Sequence, residues 1–510
     1  MFKILDCTLR DGGYYTDWDF SSSVVQFYFQ AMNNLPVDYL EIGYRNNPSK
    51  QYLGEFGYTP KLTIERIRQL STKKLAVMLN EKSTRPADLD NLLAPLVGLI
   101  DMVRIAVDPK NFDRALELAN AVKALGFEVA FNVMYMSKWS ESCVISKFAN
   151  LSGIVDILNM VDSFGGVTPS DVARTIAEIR QVSDVALGFH GHNNLQLGLI
   201  NTITALEHGV VSVDATVLGM GRGAGNLNLE LLLTYLNKHG DLALDFNTLG
   251  DAVMSFMPLL EQYRWGTNLP YMISGANSIP QRDVMAWVTN RVYSFNSIVR
   301  ALDNRRNNEA DNARFPALKL NQKCRGVVVI GGGESAEKHA SAIRQYLAQN
   351  PEFAIVFATA RRAKPYADLP NVHYYCLVGN EARRLVNTLG TNAQKGVCVL
   401  PPYPREMGTD VPSALSAITF ELPKLDFTDT YVDSVTSVAL QLALDLTDGP
   451  VYLVGYDGYP GNVLSEKEVT LMHENAAIFN AYKARTGNPP LSLTPSIYPE
   501  LTVQSVYQFL

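Results

Sequence analysis

Eight short apolar runs alternate with segments of helical character over the first 240 residues, and this alternation constrains the fold more than any other feature. Apolar runs of this length predict buried strands when helical segments separate them. Eight such strand–helix units can close on themselves as a (β/α)₈ TIM barrel. We therefore predict an α/β fold that begins with this barrel. The runs are residues 3–9, 38–44, 75–80, 101–107, 128–135, 156–162, 185–190 and 211–218.

The chain is long enough for more than one domain, and its character changes after the predicted barrel. We expect residues 1–300 to form the barrel with a C-terminal helical cap. Residues 301–323 are polar and charged with little periodicity, so we interpret them as a linker. Residues 324–510 repeat the alternation of strands and helices in fewer units, which predicts a smaller, open α/β (Rossmann-like) domain.

A glycine turn follows the first apolar run of the second domain, where Gly331, Gly333 and Ala336 fit the pattern GxGxxA. Such a turn can direct helix amides at a phosphate, although strand-to-helix turns often carry glycines without any ligand. Arg361 and Arg362 stand where a ribose-binding acidic residue would end the second strand, which argues against an NAD site. A nucleotide or a nucleotide sugar remains a candidate ligand.

Two histidines stand one residue apart at the end of the seventh run. His190 and His192 point to the same side of a strand, so both imidazoles can face one point. Asp11, which follows the first run in the segment TLRDGG, would supply the hard oxygen that a divalent cation prefers. The sequence therefore predicts a metal site, with polar loop histidines as the alternative interpretation.

Charged residues also interrupt or end other predicted strands. Arg10, Glu41 and Arg104 would each be buried in such positions, and buried charges need partners. A metal-bound anionic ligand or a structural salt-bridge network inside the barrel would provide them. Cys7, inside the first run, is either a catalytic thiol or a packed core residue.

Composition excludes several classes of partner. The chain of 510 residues is 47% hydrophobic and carries a formal net charge of -7. No basic stripe is interleaved with aromatic residues, so we expect no nucleic-acid partner. No apolar run approaches the roughly 18 residues of a membrane helix, and the chain starts directly with a predicted strand. We therefore expect no membrane anchor and a cytoplasmic location; a homo-oligomer is compatible with these properties.

Four motifs at successive strand ends resemble those of the DRE-TIM metallolyases. That superfamily includes 4-hydroxy-2-oxovalerate aldolase, 3-hydroxy-3-methylglutaryl-CoA lyase and the isopropylmalate and homocitrate synthases. It also includes the carboxyltransferase domains of pyruvate carboxylases. The resemblance covers roughly residues 1–290, and the order of the motifs makes it more specific than any one of them. The motifs are TLRDGG (8–13), EIGYR (41–45), HGHNNL (190–195) and LGMGRGAGN (218–226).

The resemblance implies a role for each matching residue. Arg10 would stabilise enolate charge, and Glu41 would be the third member of the motif that names the group. One position departs from the pattern, because the aldolases carry a catalytic histidine where this chain has Tyr14. A phenol is a weak base at neutral pH but a good hydrogen-bond donor. The implied metal ligands are Asp11, His190 and His192, with Asn226 as a fourth in some members.

We therefore expect a lyase of the aldolase type that acts on a small-molecule 2-oxo acid or aldehyde, with Mn²⁺ or Mg²⁺ as cofactor. The group that transfers the proton is open among Tyr14, Tyr135, Glu41 and Tyr271, with a metal-activated water as the alternative. Two alternatives remain. One is an acyl-CoA-using condensing synthase of the same superfamily, and the other is a nucleotide-sugar transferase whose barrel is inactive.

Overall fold

The structure is a computed structural model, and it describes residues 2–290, 293–320, 322–459 and 464–510. The chain divides into two compact units, Met1–Met285 and Ala286–Leu510. Among the described residues, no helix has both the length and the apolar character needed to cross a bilayer.

The first unit is a closed barrel of eight parallel strands, as the eight apolar runs predicted. The strands pair in chain order, and the barrel closes where Lys3 of the first strand pairs with Ser212 of the last. The predicted α/β fold class is confirmed. The strands are β1 Lys3–Asp6, β2 Tyr39–Tyr44, β3 Lys74–Asn80, β4 Met102–Val107, β5 Glu128–Val133, β6 Ile157–Asp162, β7 Ala186–Gly191 and β8 Ser212–Ala215.

Helices pack around the barrel because one face of each is apolar. In the second helix, Val25, Tyr28 and Phe29 are buried in the same core cluster as the strands. Further helices follow β8 in the region of the predicted cap, of which residues 291 and 292 lie outside the described part of the chain. The helices of this unit are α1 Thr8–Thr16, α2 Ser22–Asn34, α3 Glu55–Tyr58, α4 Lys61–Leu70, α5 Leu89–Leu92, α6 Phe112–Ala124, α7 Trp139–Ser142, α8 Pro169–Arg180, α9 Gly198–Glu207, α10 Leu229–His239, α11 Phe246–Tyr263, α12 Leu269–Ala276 and α13 Gln281–Met285.

Side chains inside the barrel form an apolar layer followed by a polar layer. Tyr39 and Met102, the first residues of β2 and β4, are buried in one small apolar cluster. Glu41 and Arg104 stand two residues further along the same strands and are also buried. Because side chains alternate along a strand, both pairs point to the same face. The polar layer therefore lies closer to the carboxyl ends of the strands.

The amino-terminal segment differs from the prediction in one respect. Strand β1 ends at Asp6, and α1 begins at Thr8, so Arg10 and Asp11 lie on a helix and not at a strand end. The cause is local, because the Asp6 carboxylate accepts hydrogen bonds from the backbone N–H and the hydroxyl of Thr8, at 2.9 and 2.8 Å. An aspartate bonded in this way favours the start of a helix.

Gly12 and Gly13, the two glycines of the TLRDGG motif, are helical residues of α1. Side chains from neighbouring segments pack closely against both glycines. A Cβ at Gly12 would come within 2.5 Å of the sulfur of Met220, and a Cβ at Gly13 would overlap the ring of Trp18. Glycine is therefore required at both positions by neighbouring side chains and not by a turn.

The second unit is built on one parallel sheet of eight strands. From its first strand the chain adds strands toward one edge, and it then returns to the other side of that first strand. The last strand of the first series and the two strands at the other edge were not predicted, because they have only two or three residues. The strands, in sheet order, are β13 Thr419–Glu421, β12 Val397–Leu400, β11 His373–Cys376, β10 Phe353–Phe357, β9 Gly326–Ile330, β14 Val451–Val454, β15 Leu491–Ser492 and β16 Thr502–Val503.

The segment predicted as a linker packs within the second unit. The unit begins at Ala286, earlier than the predicted boundary at residue 300, and Asn321 lies outside the described residues. Asp311 is buried and ion-paired with Arg405 at 2.6 Å. Its polarity suggested a solvent-exposed linker, but the ion pair fixes this segment to the rest of the unit. The helices of this unit are α14 Phe295–Arg306, α15 Ser335–Lys338, α16 Ala340–Gln349, α17 Glu381–Leu389, α18 Ser413–Ser416, α19 Val435–Leu446 and α20 Glu466–Thr486, and a π-helical turn spans Ala286–Asn290.

Candidate active site of the barrel

The four residues predicted as metal ligands lie together at the carboxyl ends of the barrel strands. His190 is in β7 and His192 follows it, while Asp11 is on α1 and Asn226 ends the glycine-rich loop after β8. His190 Nε2 is 3.7 Å from Asp11 Oδ2, and Asn226 Nδ2 donates to the same oxygen at 2.8 Å. The centres of the two imidazole rings are 5.0 Å apart.

Both histidines are oriented through Nδ1. His190 Nδ1 is 2.8 Å from Asp214 Oδ2, and His192 Nδ1 is 2.7 Å from the carbonyl oxygen of Asp162. Each oxygen can only accept, so Nδ1 carries the hydrogen of the neutral ring and Nε2 presents its lone pair. Burial and the neighbouring His190 lower the pKa of His192 to about 3, which keeps this ring neutral. Such second contacts are usual for metal-binding histidines.

Cys7 belongs to the same cluster. Ligand atoms of Cys7, Asp11 and His190 all lie within 4.8 Å of one another, which is close enough for one cation. Burial and the charge of Asp11 raise the pKa of the Cys7 thiol well above its usual value. A neutral thiol is a poor nucleophile, and Cys7 is fully buried in the small apolar cluster of the barrel interior, so the packed interpretation is favoured over the catalytic one.

The donor set fits a divalent cation. A carboxylate oxygen and two imidazole nitrogens are ligands that Mn²⁺ accepts, and Mg²⁺ uses the oxygen readily. Asn226 Oδ1 is buried and accepts no hydrogen bond from the residues that the structure describes. A buried carbonyl oxygen in that state costs free energy, which a cation at this position would offset.

Arg10 is held between two carboxylates. Its Nε donates to Glu41 Oε2 at 2.8 Å, and its Nη1 is ion-paired with Asp11. Arg104 Nη1 contacts the same Glu41 oxygen at 3.0 Å, and Arg104 Nη2 contacts Asp214 Oδ2 at 2.5 Å. All five side chains are buried. Positive and negative groups alternate along this network, so each buried charge has a partner.

The sequence left open whether the buried charges pair with a metal-bound ligand or with one another, and the network includes residues of both kinds. Arg104 and Glu41 form the structural salt bridges of the barrel interior, and Glu41 also reaches Arg10 beside the predicted metal ligands. Burial alone would raise the pKa of Asp11, but Arg10 and the two histidines lower it below the usual value. Asp11 is therefore an ionised carboxylate in this site.

The tyrosines predicted to transfer a proton differ in position. Tyr14 is on α1 with Asp11, its hydroxyl is 2.8 Å from that of Tyr44, and the guanidinium of Arg222 lies 4.1 Å above its ring. Tyr135 has a left-handed backbone conformation and stacks on Phe164 at 5.4 Å. Tyr135 donates no side-chain hydrogen bond to a described residue. Tyr14 is thus the candidate with a polar relay. Tyr271, from α12, is buried.

Sequence reasoning missed Asp214, which orients His190 and pairs with Arg104. A signal was available, because Asp214 is a charged residue inside the eighth apolar run, as Arg104 is inside the fourth. Asp162 ends the sixth run and accepts backbone hydrogen bonds from Gly166 and Val167 at 3.2 and 3.3 Å. Its own carbonyl holds His192, so its contribution to the site comes from the backbone.

The glycine turn of the second unit has a different environment from the one predicted. The backbone N–H of Ser335 donates to Asp457 Oδ2 at 2.8 Å, and a Cβ at Gly333 would come within 2.6 Å of the Asp457 carboxylate. Ala336 is fully buried, and Gly331 packs against the carbonyl of Gly455, which follows β14. A carboxylate of the protein therefore occupies the place where a phosphate would lie.

Comparisons with known proteins identify the barrel. The model of the HMGL-like family matches residues 103–253. An oxaloacetate decarboxylase from Mycobacterium tuberculosis is 28% identical over 259 residues, which are 50% of this chain and 76% of that protein. A 4-hydroxy-2-oxovalerate aldolase from Burkholderia thailandensis is 32% identical over 246 residues, which are 47% of this chain and 70% of that protein.

A solved structure extends the match to a larger share of the chain. The crystal structure of the N-terminal domain of a candidate aldolase from Bacteroides vulgatus is 63% identical in sequence and has a TM-score of 0.56. The match covers 59% of this chain and 99% of that domain. Since these relatives align over most of their own length, the chain belongs through its barrel to the HMGL-like family, in agreement with the resemblance to the DRE-TIM metallolyases.

Proposed function

We propose that the barrel cleaves a carbon–carbon bond in a 2-oxo acid or a related carbonyl substrate, as a divalent-metal-dependent lyase of the aldolase type. The proposal rests on one observation, the convergence of the Asp11 carboxylate with the imidazoles of His190 and His192 beside the Arg10 cation. The relatives named 4-hydroxy-2-oxovalerate aldolase support this reaction class.

Asp11, His190 and His192 would hold Mn²⁺ or Mg²⁺, with Asn226 Oδ1 available as a further ligand. A bound cation of this kind supplies Lewis acidity toward a carbonyl oxygen. Asp214 and the Asp162 carbonyl fix the imidazoles through Nδ1, so the side chains need little reorganisation when they bind it.

Arg10 stabilises the charge that the reaction develops. Cleavage beside a carbonyl leaves an enolate, whose negative oxygen needs fixed positive charge as it forms. The Glu41 carboxylate holds Arg10 Nε at 2.8 Å, and Arg104 holds Glu41 in turn. Glu41 is therefore a positioning residue, because it acts through Arg10.

Tyr14 is the candidate proton-transfer group. Aldol cleavage removes the proton of the substrate hydroxyl while the carbon–carbon bond breaks. The Tyr14 hydroxyl is 2.8 Å from Tyr44, so the two phenols form a relay through which a proton can move. The Arg222 guanidinium lies 4.1 Å above the Tyr14 ring and holds it by a cation–π contact.

Decarboxylation of a 2-oxo acid that carries a carboxylate beside the reacting carbon is the second candidate. Loss of CO₂ gives the same enolate but removes no hydroxyl proton, so it needs a proton donor and no base. Tyr14 in place of the family's histidine suits that requirement. The relative named oxaloacetate decarboxylase supports this candidate.

Metal content tests the proposal directly. We expect the purified chain, dialysed against Mn²⁺, to retain about one equivalent of the metal. D11N and H190A should lose this metal, because each variant removes one of the proposed ligands. His208→Ala is the matched control, since His208 follows α9 and bonds to the Thr204 carbonyl away from the cluster. Equal metal content in all four proteins would refute the site.

Activity assays then separate the reactions. Pyruvate release from a 4-hydroxy-2-oxo acid and from oxaloacetate should both require the metal ligands. Y14F should slow pyruvate release from the 4-hydroxy-2-oxo acid more than release from oxaloacetate, because only aldol cleavage needs a base. Condensation of a 2-oxo acid with acetyl-CoA, in the absence of either release reaction, would replace the lyase with a synthase.

A further inference from the structure

The second unit has a cleft of its own at the carboxyl ends of its strands. Strands β9 and β14 are neighbours, and the chain leaves them toward opposite edges of the sheet. At such a switch point the loops separate and leave a crevice, which is where open α/β sheets bind ligands. A cleft of about 290 Å³ lies there, between the loops after β9, β10 and β14 and the amino end of α19.

The glycine turn is the floor of the cleft and not an anion site. Asp457 accepts hydrogen bonds from both the backbone N–H and the hydroxyl of Ser335. A negative group placed over Gly333 would meet this carboxylate. Any anionic part of a ligand must therefore lie on another wall.

Arg361 provides a cation on that other wall. It follows β10 and lines the cleft, and it has no ion-pair partner among the described residues. Its neighbour Arg362 differs, because it is paired with Glu337 and so has a structural role. An unpaired guanidinium at the mouth of a cleft is suited to a carboxylate or a phosphate, which it can bind through two parallel hydrogen bonds.

The amino end of α19 faces the same space. Ser434 and Thr436 line the cleft, and the Ser434 hydroxyl accepts from the backbone N–H of Thr436 at 3.3 Å. A helix of this length carries a partial positive charge at its amino end. The potential of the helix thus adds to that of Arg361, and both favour an anion.

The remaining wall is polar and aromatic, and it also includes the carboxylate residue Glu474. Thr436 donates to Asn475 Oδ1 at 2.9 Å, and Asn475 Nδ2 donates to the Tyr498 hydroxyl at 3.1 Å. Tyr456 and Tyr459 also line the cleft. Amide and phenol groups both donate and accept, which matches vicinal hydroxyls, and aromatic rings pack against the C–H face of a sugar ring.

We propose that this cleft binds an anionic sugar, with the ring hydroxyls against Asn475 and Tyr498 and the phosphate or carboxylate against Arg361. The volume is near the lower bound of about 300 Å³ for small-molecule sites, so it suits one monosaccharide unit better than a dinucleotide. Three sources share this chemistry: a sugar phosphate, the sugar end of a nucleotide sugar, and a sugar acid. The site is independent of the lyase reaction proposed for the barrel.

Calorimetric titration of the full chain tests the proposal. The probes are the 1-phosphates of glucose, galactose and mannose, UDP-glucose, glucuronate, and free glucose as the uncharged control. We expect at least one anionic probe to bind with Kd below about 1 mM and glucose to bind more weakly. Tighter binding of UDP-glucose, of a hexose 1-phosphate or of glucuronate assigns the source. Failure of every anionic probe overturns the proposal.

Matched variants place the ligand. R361A should weaken the best probe roughly tenfold to a hundredfold, because it removes a charge-assisted hydrogen-bond pair. R362A, one residue away and paired with Glu337, should leave the affinity unchanged. Equal weakening by both variants, or no effect of R361A, would overturn the assignment. An unchanged thermal unfolding transition in both variants shows that the second unit is folded.

Discussion

The two units each carry a glycine-rich loop at the carboxyl edge of a parallel sheet, but the two loops have opposite consequences. In the barrel, Gly219, Gly223 and Gly225 have φ of 64, 61 and 77°, and they turn the chain so that Asn226 reaches Asp11. In the second unit, the turn is filled by the protein's own Asp457 carboxylate. Glycine spacing therefore reports the path of the backbone, and the surrounding side chains decide whether a ligand can approach.

The charged residues at the strand ends of the two units also differ in whether they have partners within the protein. Closure of the barrel brings eight strand ends to one centre, where Arg104 lies between Glu41 and Asp214. The open sheet has no common centre, and its switch point leaves Arg361 at the mouth of a cleft. The closed barrel pairs these buried charges with one another, whereas the cleft of the open sheet leaves Arg361 without an ion-pair partner among the described residues.

The largest expected effect is on the buried network. R104M would leave Glu41 and Asp214 buried without their partner, and we expect it to lower the free energy of unfolding by about 3–5 kcal/mol. R361M, the counterpart in the open sheet, should change it by less than about 0.5 kcal/mol. Urea titrations followed by circular dichroism measure both. A small loss in R104M would break the comparison.

The second prediction concerns turnover. R10K keeps the positive charge but cannot bridge Glu41 and Asp11 through separate nitrogens, so kcat for pyruvate release should fall about 10²–10³-fold. Mn²⁺ content should stay at the wild-type level. R361K should leave kcat unchanged. A loss of metal in R10K would mean that Arg10 supports the ligands and does not act on the substrate.

The third prediction is a pH dependence. Burial raises the pKa of Asp6, at the end of β1, from 3.8 to about 6. The folded chain therefore binds this proton more readily than the unfolded chain, so the contribution of Asp6 to stability falls as pH rises from about 4 to 6. Asn cannot titrate, so D6N removes this pH dependence. The free energy of unfolding of D6N relative to that of the wild type should therefore be roughly 2 kcal/mol higher at pH 7.5 than at pH 4.5.

Denaturant titrations at the two pH values measure this gain. D90N, at an exposed position outside the barrel interior, is the control. The same pH dependence in D6N as in the wild type would show that Asp6 is not the responsible group.

The smallest effect concerns the filled turn. D457A removes both hydrogen bonds from Ser335, which should destabilise the second unit by about 1 kcal/mol. D448A, at an exposed aspartate paired with Lys323, should have less effect. Thermal unfolding followed by calorimetry compares the two. Equal shifts would indicate that Asp457 does not hold the turn.

The strands of the barrel could be predicted closely, and those of the second unit only in part. Buried parallel strands such as β4 and β6 are continuous apolar runs, which the sequence displays directly. Strands β15 and β16 have two residues each, so no periodicity is available to detect them. The start of α1 was missed because the Asp6 side chain, and not an apolar pattern, ends the strand before it.

The amino-acid sequence by itself determined the barrel and the residue types of its candidate site, because strand period and strand-end position fix which side chains of one element share a face. Only the tertiary structure decided their partners. Asp214 in β8 meets His190 in β7, and Asp457, in the loop after β14, meets Ser335 although the two are 122 positions apart. Such contacts depend on closure and strand order, which bring together residues that no local pattern connects.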